Sequence, residues 1–401
     1  MVRRRRRLAR TVTSVARTVT PAAGVVVSLL AVNLAGVDVW GAFLGALILV
    51  RLSAQVADFG SRDHLVRIFS RDPGALRGAW RRNTAARTWL LALGPVLFLA
   101  SGSSLAAVAA MTAWLVALFV SQSHDALIAY RRAFGFALAL ELSAIGLTCL
   151  AILAIGATLT SDALILVSTG VAVLRAMALS VRFRSFGIIA LRPVADLDEL
   201  RASWPFFLLT FSGAVGSRVD LYVVATLLPV TALGEYGLLT NFVLLVQSLS
   251  GAFLAPIVPS LYRQARARVL LVSARLFAVG LPLTLLGAVG TWICLWALYD
   301  VVLAPLAIGA AWAAMLPCFL YLPLVYLCFR DGRERAVVAG NVLGIIVGLV
   351  GTVSLAPVLG IAGAMVAAAL AQAVIAGFHV VRVLRTPVGR AEVASDALSG
   401  M

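Results

Sequence analysis

Apolar runs long enough to cross a bilayer follow one another along this chain, separated by short polar segments. About 20 apolar residues, each rising 1.5 Å, bridge a hydrocarbon layer of roughly 30 Å. By that measure the runs at 18–35, 39–57, 84–100, 103–122, 133–156 and 162–181 predict a first set of helices. A polar stretch follows, with Arg182, Arg184, Arg192, Asp196, Asp198 and Glu199. The second set lies at 204–228, 234–255, 276–298, 304–328, 336–356 and 361–384. The pattern predicts an all-α polytopic membrane protein of about 12 transmembrane helices in two six-helix lobes. The expected divisions are a cytoplasmic arginine-rich arm at 1–17, an N-terminal lobe at 18–190, a cytoplasmic linker at 191–203, a C-terminal lobe at 204–384 and a cytoplasmic tail at 385–401.

Charge orients those helices. Arg3–Arg7, Arg10 and Arg17 precede the first run, and arginines recur at 62–82, 131–132, 182–201, 263–275, 330–335 and 382–390. The connections around Val37, Ser101, Ala157, Pro229, Tyr299 and Pro357 hold none. Because basic residues accumulate on the cytoplasmic side, the alternation places both termini in the cytoplasm of a multi-pass cell-membrane protein. The basic start reads as the inside flank of the first helix rather than a secretion signal, since a second apolar run follows at once.

Composition agrees. Apolar residues make up 62% of the 401 positions and charged residues 12%, against roughly 45–50% and about 25% in soluble domains. The net charge of +16 comes from 33 basic residues, all arginine. Nearly all of them fall in the short connections, which argues against a nucleic-acid partner. Cys149, Cys294, Cys318 and Cys328 sit in or beside apolar runs, and His64, His124 and His379 are scattered, so no metal site or cofactor is expected. The arginine-free connections are short, which leaves an outer-face enzyme nowhere to carry catalytic residues.

Ionisable groups inside a membrane are costly and invite a functional reading. Arg51, Glu141 and Arg175 each fall roughly 4–5 Å to the arginine-rich side of their span centres. The fifth and sixth helices are joined by a short turn, so Glu141 and Arg175 are expected to form a structural ion pair, leaving Arg51 as a ligand candidate. On the seventh helix Gly213, Gly216, Ser217 and Asp220 recur at helical spacing. Arg218 lies about 200° round an unbroken helix from Asp220 and is expected to find a different partner.

Certain segments resemble a known family. Ser217-Arg-Val-Asp-Leu-Tyr-Val-Val, Leu233-Gly-Glu-Tyr-Gly-Leu-Leu and Ala255-Pro-Ile-Val-Pro-Ser-Leu-Tyr-Arg263 are similar to the seventh and eighth helices of Wzx-like polysaccharide flippases. These belong to the multidrug/oligosaccharidyl-lipid/polysaccharide (MOP) exporter superfamily. Asp220, Gly234, Tyr236 and Pro259 occupy the family's positions. Gly41-Ala42-Phe43 and Ala57-Asp58-Phe59-Gly60, followed by Arg67, resemble the matching second helix and its exit. The resemblance implies two lobes around a central cavity walled by the first, second, seventh and eighth helices, with Arg51, Arg218 and Asp220 as cavity residues. It also implies a cargo, a polyprenyl-diphosphate-linked oligosaccharide flipped by alternating access for O-antigen, capsule or exopolysaccharide synthesis. The expected partners are that glycan, membrane lipids, and the polymerase and glycosyltransferases of the same pathway. A cation-coupled multidrug exporter of the same superfamily and a membrane glycan polymerase or ligase are the alternatives.

Overall fold

The computed structural model describes residues 2–184 and 193–385, with side chains except those of residues 2–17, 20 and 259. The side chains of the predicted arm, Arg192 in the linker, the tail beyond Arg385 and the side chain of Pro259 therefore lie outside what the structure describes.

The first predicted span lies on α1 (Val2–Ala35), and Gly36 turns the chain into α2 (Val37–Asp58). Next come α3 (Ser61–Arg71), α4 (Leu76–Thr88), α5 (Leu93–Ala100), α6 (Leu105–Ser123), α7 (Asp125–Arg131), α8 (Phe134–Ile155), α9 (Ser161–Arg182) and α10 (Leu197–Gly216). The remainder are α11 (Val219–Leu227), α12 (Val230–Leu254), α13 (Val258–Leu261), α14 (Arg266–Tyr299), α15 (Pro305–Met315), α16 (Pro317–Arg330) and α17 (Glu334–Arg385). Among the described residues 8 helical segments are long and apolar enough to span a membrane, and α10 with α11, bent by 52°, makes up to 9.

The 12-span expectation maps onto these elements. α17 holds the last two spans, folded at Gly360, whose φ of 57° and ψ of −135° suit glycine and little else. The shorter apolar stretch Pro21–Ala35 holds the first span. The third is broken rather than continuous, passing from α4 through a 3₁₀ turn at Trp89–Ala92 into α5. The tenth breaks where α16 begins at Pro317, which cannot donate the amide that an unbroken helix needs.

Two compact units divide the chain, one running from Val26 to Ser217, the other joining the chain up to Val25 with the chain from Arg218 onward. The boundary thus cuts α1 and the α10–α11 bend.

Within each unit, exposed apolar side chains contrast with buried cores. Leu150 on α8 and Trp296 on α14 are 65% and 62% exposed, as expected of side chains that meet acyl chains. At the arginine-bearing end of the first unit, by contrast, connections converge on a conventional core. Leu65 and Phe69 of α3, Trp80 of α4, Leu127 of α7 and Phe183 after α9 bury one another there. In the second unit Arg330 reaches the Gln264 carbonyl at 2.6 Å and Arg266 reaches that of Val383, so the connections rich in arginine again share one end.

Candidate functional site

The membrane-embedded charges fall into separate groups. On α2, Trp40, Phe43, Leu44, Ile48 and Ala54 are buried, with Phe43 stacked on Trp114 of α6 at 6.0 Å, while Arg51 stands exposed. Glu141 on α8 and Arg175 on α9 form an ion pair with Oε2 and Nη1 2.6 Å apart. Short-range geometry of this kind follows from two adjacent antiparallel helices with complementary charges at matching depth.

In the second unit the backbone leaves the helix at Arg218, with φ −143° and ψ 8°, before α11 starts. The 200° separation expected for an unbroken helix therefore does not hold. Arg218 and Asp220 belong to one electrostatic cluster, and Tyr236 of α12 completes it. The Tyr236 hydroxyl donates to Oδ2 of Asp220, and both side chains are buried. α11 is seated by close packing on α17, where a Cβ added to Gly348 would come within 2.8 Å of Val219. Small residues permit that approach, as is usual between membrane helices.

A further cluster, largely unread in the sequence, closes the arginine-bearing end of the first unit. Arg87 of α4 is 0% exposed. Its Nε donates to the Asn83 carbonyl at 3.2 Å and to Asn83 Oδ1 at 3.0 Å. Its Nη1 donates to the carbonyls of Ala57 at 3.1 Å and Asp58 at 2.9 Å, and its Nη2 to the Ser123 hydroxyl at 3.2 Å. The guanidinium also lies 3.7 Å from the Asp58 carboxylate and 5.0 Å from the Phe119 ring centre. One side chain thus ties the end of α2, the start of the third span and the end of α6. Beside it, Glu199 of α10 accepts from Asn83 at 3.0 Å and Arg82 at 3.2 Å, and pairs with His64 at 3.0 Å.

The Asp58-Phe59-Gly60 exit owes its residue types to this junction. Asp58 accepts from the Ser61 hydroxyl at 2.8 Å, and Phe59 stacks on Phe207 of α10 at 4.4 Å. Gly60 has φ +69°, and a Cβ there would lie 2.4 Å from the Phe207 amide nitrogen. Both the backbone conformation and the close approach therefore demand glycine. Arg87 and Glu199 escaped the sequence reading because each lies near the edge of a predicted span, among arginines that look like ordinary flanking charge. The one available signal was that Arg87 sits inside the run at 84–100.

The fold is similar to those of solved membrane-transporter structures. The chain superposes on the lipid II flippase MurJ in its inward closed conformation with a TM-score of 0.68, at 12% identity, over 92% of this chain and 86% of that one. The MATE multidrug transporter DinF-BH in complex with R6G gives 0.59 at 13% identity, over 95% of each chain. An inward-facing multidrug resistance MATE family transporter of the MOP superfamily gives 0.52 at 15% identity, over 92% of this chain and 94% of that one. The chain has the MOP fold. No protein-family model matches it, and no curated protein sequence is significantly similar. The MOP fold accounts for the arrangement predicted from hydropathy, two six-helix halves in a polytopic all-α membrane protein. The neighbours are a flippase and transporters by their descriptions.

Proposed function

We propose that the protein is a transporter that flips a polyprenyl-diphosphate-linked oligosaccharide across the cytoplasmic membrane during polysaccharide biosynthesis, by alternating access. The arginine-bearing connections face the cytoplasm in this reading. Arg51 and Arg218 handle the diphosphate, because a guanidinium stays charged when buried and its planar fork can bond two phosphate oxygens at once.

The observation that supports this reading over its rival concerns the carboxylates. A cation-coupled exporter needs intramembrane carboxylates available to a cation. Glu141 is engaged by Arg175, and Asp220 by Tyr236 and Arg218. Asp220 then orders the Arg218 region instead of binding cargo by itself.

Export of the lipid-linked glycan and protein abundance, measured together in Arg51→Gln and Arg218→Gln, test the proposal. Arg51→Gln should show normal abundance with poor export, whereas Arg218→Gln, which also takes a charge partner from the buried Asp220, should lose export and some abundance; lysine at either position should rescue in part, because it binds phosphate as a point charge. Normal export by both glutamine variants would remove the arginines from cargo handling. The MATE-like fold favours the multidrug exporter as second reading, and efflux of a cationic dye dependent on Asp220 would decide for it.

A further inference from the structure

The end of α17 carries a groove distinct from the charged clusters above. It is an open-sided space of about 540 Å³ lined by Leu343 of the first arm of α17 and by Val374, Phe378 and Val381 of the second. Gly377 forms part of its floor, and a Cβ added there would meet no atom within 4 Å, so the space is open where a side chain would otherwise fill it. The volume lies within the range of small-ligand sites.

Arg382 and Arg385 line the same groove. They are three residues apart on one helical face, both exposed, and they stand where the apolar run ends, the level at which a membrane-spanning helix meets lipid headgroups. The described residues that line the groove are otherwise apolar. Arginines in a last turn also suit the helix dipole. That effect explains their position on the helix and leaves unexplained the apolar slot running away from them along the membrane direction. An apolar slot ending in two cations is complementary to an amphiphile with an acyl chain and an anionic phosphate head. Basic pockets between membrane helices recognise lipid headgroups in this way.

We propose that this groove is a binding site for an anionic phospholipid, with an acyl chain against Leu343, Val374, Phe378 and Val381 and the phosphate on Arg382 and Arg385. The site involves only the last two spans and does not depend on the identity of the cargo.

Purified full-length protein in neutral detergent, titrated with phosphatidylglycerol or with phosphatidylcholine of the same acyl chains and followed by native mass spectrometry, tests it. Each surface arginine contributes about fivefold to binding of anionic lipid, so Arg382→Gln with Arg385→Gln should weaken phosphatidylglycerol binding roughly thirtyfold. Phosphatidylcholine binding should stay unchanged in that double variant. Gly377→Leu keeps both charges, fits a helix and fills the groove, so both lipids should be lost. The double arginine variant alters only exposed side chains and carries the test alone if Gly377→Leu fails to accumulate. Equal phosphatidylglycerol affinity in wild type and the double arginine variant would overturn the proposal. So would undiminished binding by well-folded Gly377→Leu, or equally tight binding of inorganic phosphate.

Discussion

Replacing Arg87 by methionine removes a guanidinium while retaining most of the apolar volume of its stem. Arg87 is fully enclosed, with hydrogen bonds at 2.9–3.2 Å to three carbonyl oxygens, an amide oxygen and a hydroxyl, and an ion pair to Asp58 at 3.7 Å. Hydrogen bonds to a charged donor contribute roughly 1.5–3 kcal/mol each when taken singly. They do not add, because all are lost in one event, and the residual cost is that of stranding Asp58 and the carbonyls. Breaking one partner of a buried pair costs about 3–5 kcal/mol, a large part of a typical stability of about 5–15 kcal/mol. For a cooperative unit of 150–250 residues, at about 2–4 °C per kcal/mol, the melting temperature in detergent should fall by roughly 6–20 °C. Arg87→Met combined with Asp58→Asn should recover part of the loss by removing the stranded carboxylate. Arg81, exposed seven positions from the end of the same helix, supplies the control, and Arg81→Met should change stability by less than about 0.5 kcal/mol. Thermal unfolding of the four proteins measures this directly. A melting temperature for Arg87→Met equal to that of Arg81→Met, or a double variant no better than the single, would refute the account of the junction.

The remaining expectations need the same assays. Glu141→Ala and Arg175→Ala should each lower stability by roughly 3 kcal/mol, with recovery when both are removed, and additive loss in a double-mutant cycle would dismiss the pair. Gly60→Ala should cost about 2–5 kcal/mol, combining a left-handed backbone with overpacking against Phe206 and Phe207, and normal accumulation would contradict that geometry. Tyr236→Phe removes the hydroxyl that donates to the buried Asp220 carboxylate and should lose about 1–3 kcal/mol, with relief by Asp220→Leu, read as unfolding temperature. A reporter active only outside the cytoplasm should work when fused after Pro229 and fail after Arg266, and the reverse pattern would overturn the proposed orientation.

Hydropathy and arginine placement by themselves determined the class of fold and the order of the helices. A membrane span must satisfy its own backbone, so its length and polarity are written locally, and each arginine cluster marks a connection. The Glu141–Arg175 contact was legible for the same reason, since a short turn joins their helices and opposite charges at one depth leave little freedom. Tertiary structure decided what local pattern could not. The bend after Ser217 brings Arg218 into one cluster with Asp220, where helical spacing predicts opposite faces. Nothing in the run at 84–100 announces that its arginine will be sealed beneath Ala57, Asp58 and Ser123, because those partners arrive from 29 to 36 positions away. Glu199 depends still more on folding, with His64 135 positions distant. A buried charge is tolerated only once distant groups have assembled around it, and that assembly is a property of the packed helices rather than of any single run.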